Sequence, residues 1–313
     1  VKKTVISLSD GRELTYSDAS DAADRSCPDQ RTLQPAAHRS ELRYNRALDE
    51  WIVVAAHRQR RTSQPALPDC PLCPSRPGTL TEIPSLDYEV IVFENRFPAL
   101  GPPPAGPGTA DEAVKRHGRV MCRPGNGRCE VVCFTSDHGA SFSSLSPAQA
   151  DLVMQAWTDR TAELSALPGV EQVFCFENRG REVGVTLDHP HGQIYAYPFV
   201  TPRTAQMLRA AQAYLARTGR NLAEDILASE LEDGVRIVAS TPGWTAFVPY
   251  APRWPYEVHI YPNARVADLT MLPSQARTQL AAIYLDVLRR SSASRCPICR
   301  LCIRHRPARG TTT

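Results

Sequence analysis

The residues best equipped for chemistry lie in one stretch, Asp188-His189-Pro190-His191-Gly192-Gln193-Ile194-Tyr195-Ala196-Tyr197-Pro198. Its aromatic and β-branched content and its flanking prolines predict an extended segment. Period two then projects His189, His191, Gln193, Tyr195 and Tyr197 from one face. Pro190, Gly192, Ile194, Ala196 and Pro198 leave the opposite face small or apolar, fit to lie on a core. Two imidazoles and an amide so close together serve no obvious packing purpose, because each buried polar group needs a partner. A neutral imidazole can attack phosphorus at neutral pH without a separate base, giving a phosphoramidate that a second phosphate attacks in turn. When one phosphate ester leaves and another enters, neither needs a proton. A neutral hydrogen-bonding group such as Gln193 then suffices beside the nucleophile.

A second constellation is Cys70-Pro71-Leu72-Cys73, whose two thiolates could grip one metal ion or form a redox pair. Prolines after both cysteines favour a metal knuckle over the start of a redox helix, and a zinc site then needs two further ligands. His138, at the end of a strand, is within reach of such a knuckle. The cluster His57-Arg58-Gln59-Arg60-Arg61 follows the strand Trp51–Ala56, where planar guanidinium groups suit a phosphate. Asn178, two glycines and Thr186 precede the histidine stretch and suit a loop that cradles a ligand.

These groups need a scaffold, and 313 residues with 42% hydrophobic and 22% charged content are ample for a sizeable core. A formal charge of +3 does not argue for a nucleic-acid partner. No apolar run is long enough to span a bilayer and no signal-peptide pattern opens the chain, so the expected location is cytoplasmic, without a membrane partner. Ten cysteines in a chain of this length, without an export signal, do not read as a disulfide framework. Residues 1–40 read as a turn-rich arm with a hairpin near Asp10-Gly11, draped over the body. Strands are expected at 51–56, 88–93, 129–134, 172–176, 235–239 and 244–250, with a Pro- and Gly-rich surface loop running to about 128. Ser146-Pro147 and Thr201-Pro202 open helices, a shorter helix lies near 223–231, and another runs from Ser274 to about Arg290. The run Trp254–Pro262 weakly echoes the histidine stretch and suggests an internal duplication, with His259 structural.

Taken together, His189-Pro190-His191-Gly192-Gln193 resembles the active-site motif of the galactose-1-phosphate uridylyltransferases, the transferase branch of the histidine triad superfamily. The hydrolase branch carries a third histidine where this chain has Gln193. The similarity runs in order through Asp49–Val53 with His57, Arg58 and Arg61, Cys70–Cys73, Val92–Phe97, Ser136–His138, Phe176–Gly180 and Trp254–Glu257. The resemblance implies an α+β fold, an antiparallel half-barrel sheet from two histidine-triad-like repeats with helices outside. It implies a first repeat at 41–200 and a second, incomplete one at 201–290. It implies uridylyl transfer from UDP-glucose to galactose 1-phosphate through a covalent intermediate on His191, with Gln193 holding a phosphoryl oxygen. Cys70, Cys73, His138 and His189 match the family's zinc ligands, and Arg58, Arg61, Asn95, Asn178 and Thr186 its nucleotide contacts. A homodimer is the family's usual assembly.

The resemblance ends with the last helix. Residues 291–313 are basic, rich in cysteine and without an acidic residue. They read as a frameshifted tail with no folded purpose, the alternative being a second knuckle of Cys296, Cys299, Cys302 and His305. The family's hexose-binding tail and second metal site find no match there, so weak sugar binding, an impaired full exchange and weakened dimerisation are expected. Two other readings remain open. One is a related transferase acting on an ADP-sugar or a dinucleoside polyphosphate. The other is a non-catalytic zinc module that binds nucleotides or nucleic acid through Arg58, Arg61 and the tail.

Overall fold

The computed structural model describes residues 1–35, 40–60, 65–102, 115–117, 120–293 and 299–303. Its strands are β1 (Lys2–Ser7), β2 (Glu13–Asp18), β3 (Glu41–Asn45), β4 (Glu50–Val54), β5 (Val90–Glu94), β6 (Lys115–His117) and β7 (Val120–Pro124). They continue as β8 (Arg128–Cys133), β9 (Gln172–Arg179), β10 (His191–Tyr197), β11 (Ile237–Ser240), β12 (Trp244–Phe247), β13 (His259–Pro262) and β14 (Cys299–Ile303). The helices are α1 (Pro147–Ser165), α2 (Pro202–Thr218), α3 (Leu222–Asp233) and α4 (Ser274–Ala293). None is long and apolar enough to cross a membrane among the described residues.

A seven-stranded sheet in the order β1-β2-β5-β8-β10-β9-β14 organises the molecule, beside sheets β4-β3-β7-β6 and β11-β12-β13. Every pairing between these strands is antiparallel. The α+β class with antiparallel sheets and outer helices is as the sequence leads one to expect. Buried and half-buried residues alternate along β10, because one face lies on a core and the other lines a cleft. Register places Phe176, Gln193, Val131, Phe93 and Leu14 in one row across five strands.

The helical face of this sheet carries Val132, Ile194 and Cys175 against Trp157 and Met154 of α1 and Tyr284 and Leu285 of α4. Trp157 is fully buried, and truncating such a side chain typically costs about 3–5 kcal/mol. The opposite face packs Leu14, Tyr16, Ile91, Phe93, Val131 and Cys133 against Cys70, Leu72, Ile83 and Tyr88 of the segment between β4 and β5. Ser146 caps α1 by accepting from the Gln149 N–H at 3.1 Å, with Pro147 in the first turn. Thr201 precedes α2 without a side-chain capping bond and instead donates to the Thr204 hydroxyl at 3.0 Å.

The N-terminal segment is more than a draped arm. β1 and β2 form a six-residue-pair hairpin, and β2 joins the main sheet through β5, burying Leu14 and Tyr16. Beyond the hairpin, Arg31 and Arg12 both reach Glu82, at 2.9 and 2.5 Å. The Pro- and Gly-rich stretch contains β6 and β7; residues 103–114 and 118–119 lie outside the described residues. In the segment read as having no folded purpose, β14 pairs with β9, from Cys299↔Arg179 to Ile303↔Cys175. Cys296 and His305 lie outside the described residues, and the second-knuckle reading with them. His259 Nε2 donates to the Glu257 carboxylate at 3.0 Å, and its ring stacks on Tyr261.

Glu177 sits on the helical face of β9, fully buried, with the Tyr284 hydroxyl 3.4 Å away. Burial pushes its carboxyl up to about 7, against a lesser opposing pull from Arg179. The folded-state value lies above the unfolded one of about 4.3, so stability is fully present at low pH and is lost as pH rises through that window to about 7. Glu177→Gln should remove this loss. Denaturant titrations should show the variant gaining on the wild type by about 1–3 kcal/mol between mildly acidic and mildly basic pH, and a pH-independent difference would contradict the assignment.

Candidate active site and metal cluster

β10 begins at His191, not at His189. Asp188 to Pro190 approach in a bend, so the two histidines serve different places although only one residue separates them. Gly192 between His191 and Gln193 permits this packing. A Cβ there would lie 2.9 Å from Phe134 Cζ and 3.0 Å from the Phe176 carbonyl oxygen.

His189 is 1% exposed and turns into the segment that carries the cysteines. Its Nδ1 lies 3.6 Å from Cys73 Sγ, and His138 Nδ1 lies 3.4 Å from the same sulfur. One ligand atom from each of Cys70, Cys73, His138 and His189 falls within 4.8 Å of all the others. Metal bonds of about 2.3 Å to sulfur and about 2.05 Å to nitrogen, at tetrahedral angles, give a sulfur–nitrogen edge of about 3.6 Å. The two sulfur–nitrogen separations match that edge, so the four groups are placed to hold one metal ion. Burial pushes the Cys73 thiol up, with Cys70 beside it adding to the effect, so a cation between them is what would make thiolates favourable. The four sequence-predicted ligands, from three separate parts of the chain, are thus brought together.

His191 lines a cleft together with the polar Arg58, Asn95, Asn178, Thr186 and Gln193 and the apolar Leu72, Phe93, Val131 and Leu187. Gln193 and four of the five predicted nucleotide contacts therefore border the same cleft as His191; the fifth, Arg61, lies outside the described residues. His191 Nδ1 is 2.7 Å from the His189 carbonyl oxygen, which can only accept, so Nδ1 carries the proton and Nε2 the lone pair. Burial lowers the imidazole's affinity for a second proton, only partly offset by that carbonyl. Arg58 Nη1 donates to the Tyr195 hydroxyl at 3.1 Å, and Tyr195 donates to Gln193 Oε1 at 3.2 Å. This chain turns the Gln193 carbonyl toward Tyr195 and leaves its NH₂ as the group to meet an oxyanion.

Sequence reasoning gave no role to four contributors. Tyr195 was placed on the right face without a role, yet it orients Gln193. Glu82 and Arg96, 3.6 Å apart, also line the cleft; Arg96 lies within the Val92–Phe97 segment, whereas nothing in the immediate sequence marks Glu82. Tyr88 contacts His189 and is treated below. The apolar side, Leu72, Phe93, Val131 and Leu187, was legible only as core, although it offers a flat surface for a ring.

The family model "galactose-1-phosphate uridyl transferase, N-terminal domain" matches residues 31–201, and its C-terminal-domain counterpart matches 207–294. The chain is 51% identical to a galactose-1-phosphate uridylyltransferase of Streptomyces lividans, over 93% of this chain and 75% of that protein. It is 38% identical to one of Thermotoga maritima, over 78% and 73%. A solved uridylyltransferase structure superposes with a TM-score of 0.70 at 27% identity, covering 86% of this chain and 82% of that one. An Arabidopsis thaliana ADP-glucose phosphorylase with bound ADP-glucose shares the fold, with a TM-score of 0.64 at 20% identity over 87% and 84%.

The depressed affinity of His191 for protons has a direct consequence for reactivity. Its ring is neutral above its lowered value and cationic only below it. The rate of covalent labelling at His191 by a nucleotide donor should stay level through neutral pH and fall only below the ordinary histidine value of about 6.5. A labelling profile that declined from above that value would show a more basic imidazole than this burial allows.

Proposed function

Since this chain belongs to the galactose-1-phosphate uridyl transferase family and is a nucleotidyltransferase, we propose that it moves uridylyl from UDP-glucose to galactose 1-phosphate in galactose metabolism. The observation that carries this reading is the pairing of a neutral His191, lone pair on Nε2, with the Gln193 amide in one cleft. Nε2 attacks the α-phosphorus of UDP-glucose, a P–N bond forms, the P–O bond to the β-phosphate breaks, and glucose 1-phosphate departs without needing a proton. The ring then bears a positive charge, which its Nδ1–H shares with the His189 carbonyl. A phosphate oxygen of galactose 1-phosphate next attacks the same phosphorus, the P–N bond breaks, and UDP-galactose leaves with the ring neutral again. The nucleophile needs no base and the leaving groups need no acid, which is why an amide can stand beside it.

Gln193 donates to a non-bridging oxygen, so that it acts where charge is held in the transition state. Arg58, with Arg61 nearby in sequence, supplies positive charge for the phosphates, while Asn95, Asn178 and Thr186 hydrogen-bond the nucleotide and the apolar side carries the uracil. Cys70, Cys73, His138 and His189 would hold a structural Zn²⁺, which supplies rigidity and not chemistry at phosphorus. Residues 41–200 would then be the first, catalytic repeat and 201–290 the second, in a cytoplasmic homodimer.

Incubation with UDP-glucose labelled at the α-phosphate should leave label on the protein that galactose 1-phosphate discharges as UDP-galactose. His191→Ala should abolish the label. Gln193→Ala should slow labelling by about 100-fold or more. Label persisting in His191→Ala, or carried equally well from ADP-glucose as from UDP-glucose, would overturn the assignment.

A further inference from the structure

Tyr88 lies just before β5, 4% exposed, and the reaction described above makes no use of it. Its hydroxyl donates to the Leu72 carbonyl at 2.9 Å, the carbonyl that sits between Cys70 and Cys73. The same oxygen lies 2.7 Å from His189 Nε2. The Thr135 carbonyl oxygen lies 2.9 Å from that nitrogen on another side. A carbonyl can only accept, and the Tyr88 proton is committed to Leu72, so both oxygens facing Nε2 are acceptors. A neutral ring meets that demand only with its proton on Nε2, which leaves the Nδ1 lone pair for the side where Cys73 and His138 converge.

We infer that Tyr88 is a positioning residue: its phenol ties the cysteine knuckle to His189, fixes the Nε2–H tautomer, and so presents Nδ1 to the metal ion. The inference rests on the metal reading of the proposed function and adds to it a residue outside the ligand set. Geometry gives the phenol a second reach. The His189 ring it holds belongs to the residue whose carbonyl orients His191, so the knuckle, the ligand and the nucleophile form one continuous hydrogen-bonded path: Leu72 carbonyl, Tyr88, His189 ring, His189 carbonyl, His191.

A matched control exists in the same apolar cluster. Tyr16 is fully buried and its hydroxyl bonds only Ser85 Oγ at 3.0 Å in the contacts seen, with no link to the four ligands. Removing the Tyr16 oxygen disturbs its bond with Ser85, and removing the Tyr88 oxygen disturbs those with Leu72 and His189. Only Tyr88→Phe removes a partner of a ligand, and outer partners of this kind typically set metal affinity by about 10–100-fold.

Zinc affinity is to be measured by competition with a chelating indicator on the wild type, Tyr88→Phe and Tyr16→Phe full-length proteins. Binding weaker by about 10–100-fold in Tyr88→Phe, with Tyr16→Phe unchanged, is the expected result. Equal affinity in all three overturns the inference and leaves the metal reading standing, whereas a wild type that binds no zinc overturns both. Imidazole nitrogen-15 shifts of the zinc-loaded wild type provide a test that does not depend on the variant folding. They should show His189 protonated at Nε2 and ligating through Nδ1, and the reverse pattern rejects the role given to Tyr88.

Discussion

The hydrogen bond from His191 Nδ1 to the His189 carbonyl, 2.7 Å long, joins two jobs that one residue alone could not do. His189 must be buried and immobile, turned toward sulfur ligands, while His191 must face a cleft with a lone pair exposed. A regular strand would send both side chains to the same surface at a spacing of about 7 Å. Here the strand starts only at His191, and the bend at Asp188 to Pro190 frees His189 to turn toward the cysteines. The carbonyl that remains fixes which nitrogen of the nucleophile carries its proton. Anything that immobilises His189 therefore also determines the chemistry two residues on.

The sheet supplies the second requirement, a floor that is apolar on both faces but for different reasons. Toward α1 and α4 it is closed by aromatic packing of Phe134, Phe142 and Trp157, with ring centroids 5.1 to 6.0 Å apart. Toward the cleft, the row Gln193, Val131, Phe93 passes from a polar group to a ring in two strand spacings, about 10 Å. That length suits a ligand with phosphate at one end and a base at the other.

Charge is handled apart from both faces. Glu82 lines the cleft yet is held by Arg12 and Arg31 from the N-terminal segment, with Asp10 and Asp29 bonded in turn to those arginines. Buried ion pairs of this kind add little net stability, because desolvation offsets attraction. Their effect is positional: they fix the first 35 residues against the wall of the cleft. On the helical face, Glu130 plays the same part between Arg128 and Arg160.

The sequence alone carried the extended histidine stretch, the Cys70/Cys73 pair and the helix starts. Each of these is a local pattern: a period of two, a two-residue spacing, a capping residue before proline. The family resemblance pointed to His138 and His189 and to the residues that border the cleft, because their order along the chain is itself a pattern. What the sequence could not carry were relations between distant segments. The hairpin at Lys2–Asp18 looked like a turn-rich arm because its apolar residues are few, and only pairing with β5 shows that Leu14 and Tyr16 are core. Tyr88 looked like one more strand aromatic, and Glu82 and Arg96 like loop charges, since nothing within a few residues reveals what a side chain will meet. Residue types and spacing marked out the groups that could do chemistry; the tertiary structure decided which ring nitrogen keeps its lone pair, because a ring's tautomer depends on acceptors that arrive from elsewhere in the fold.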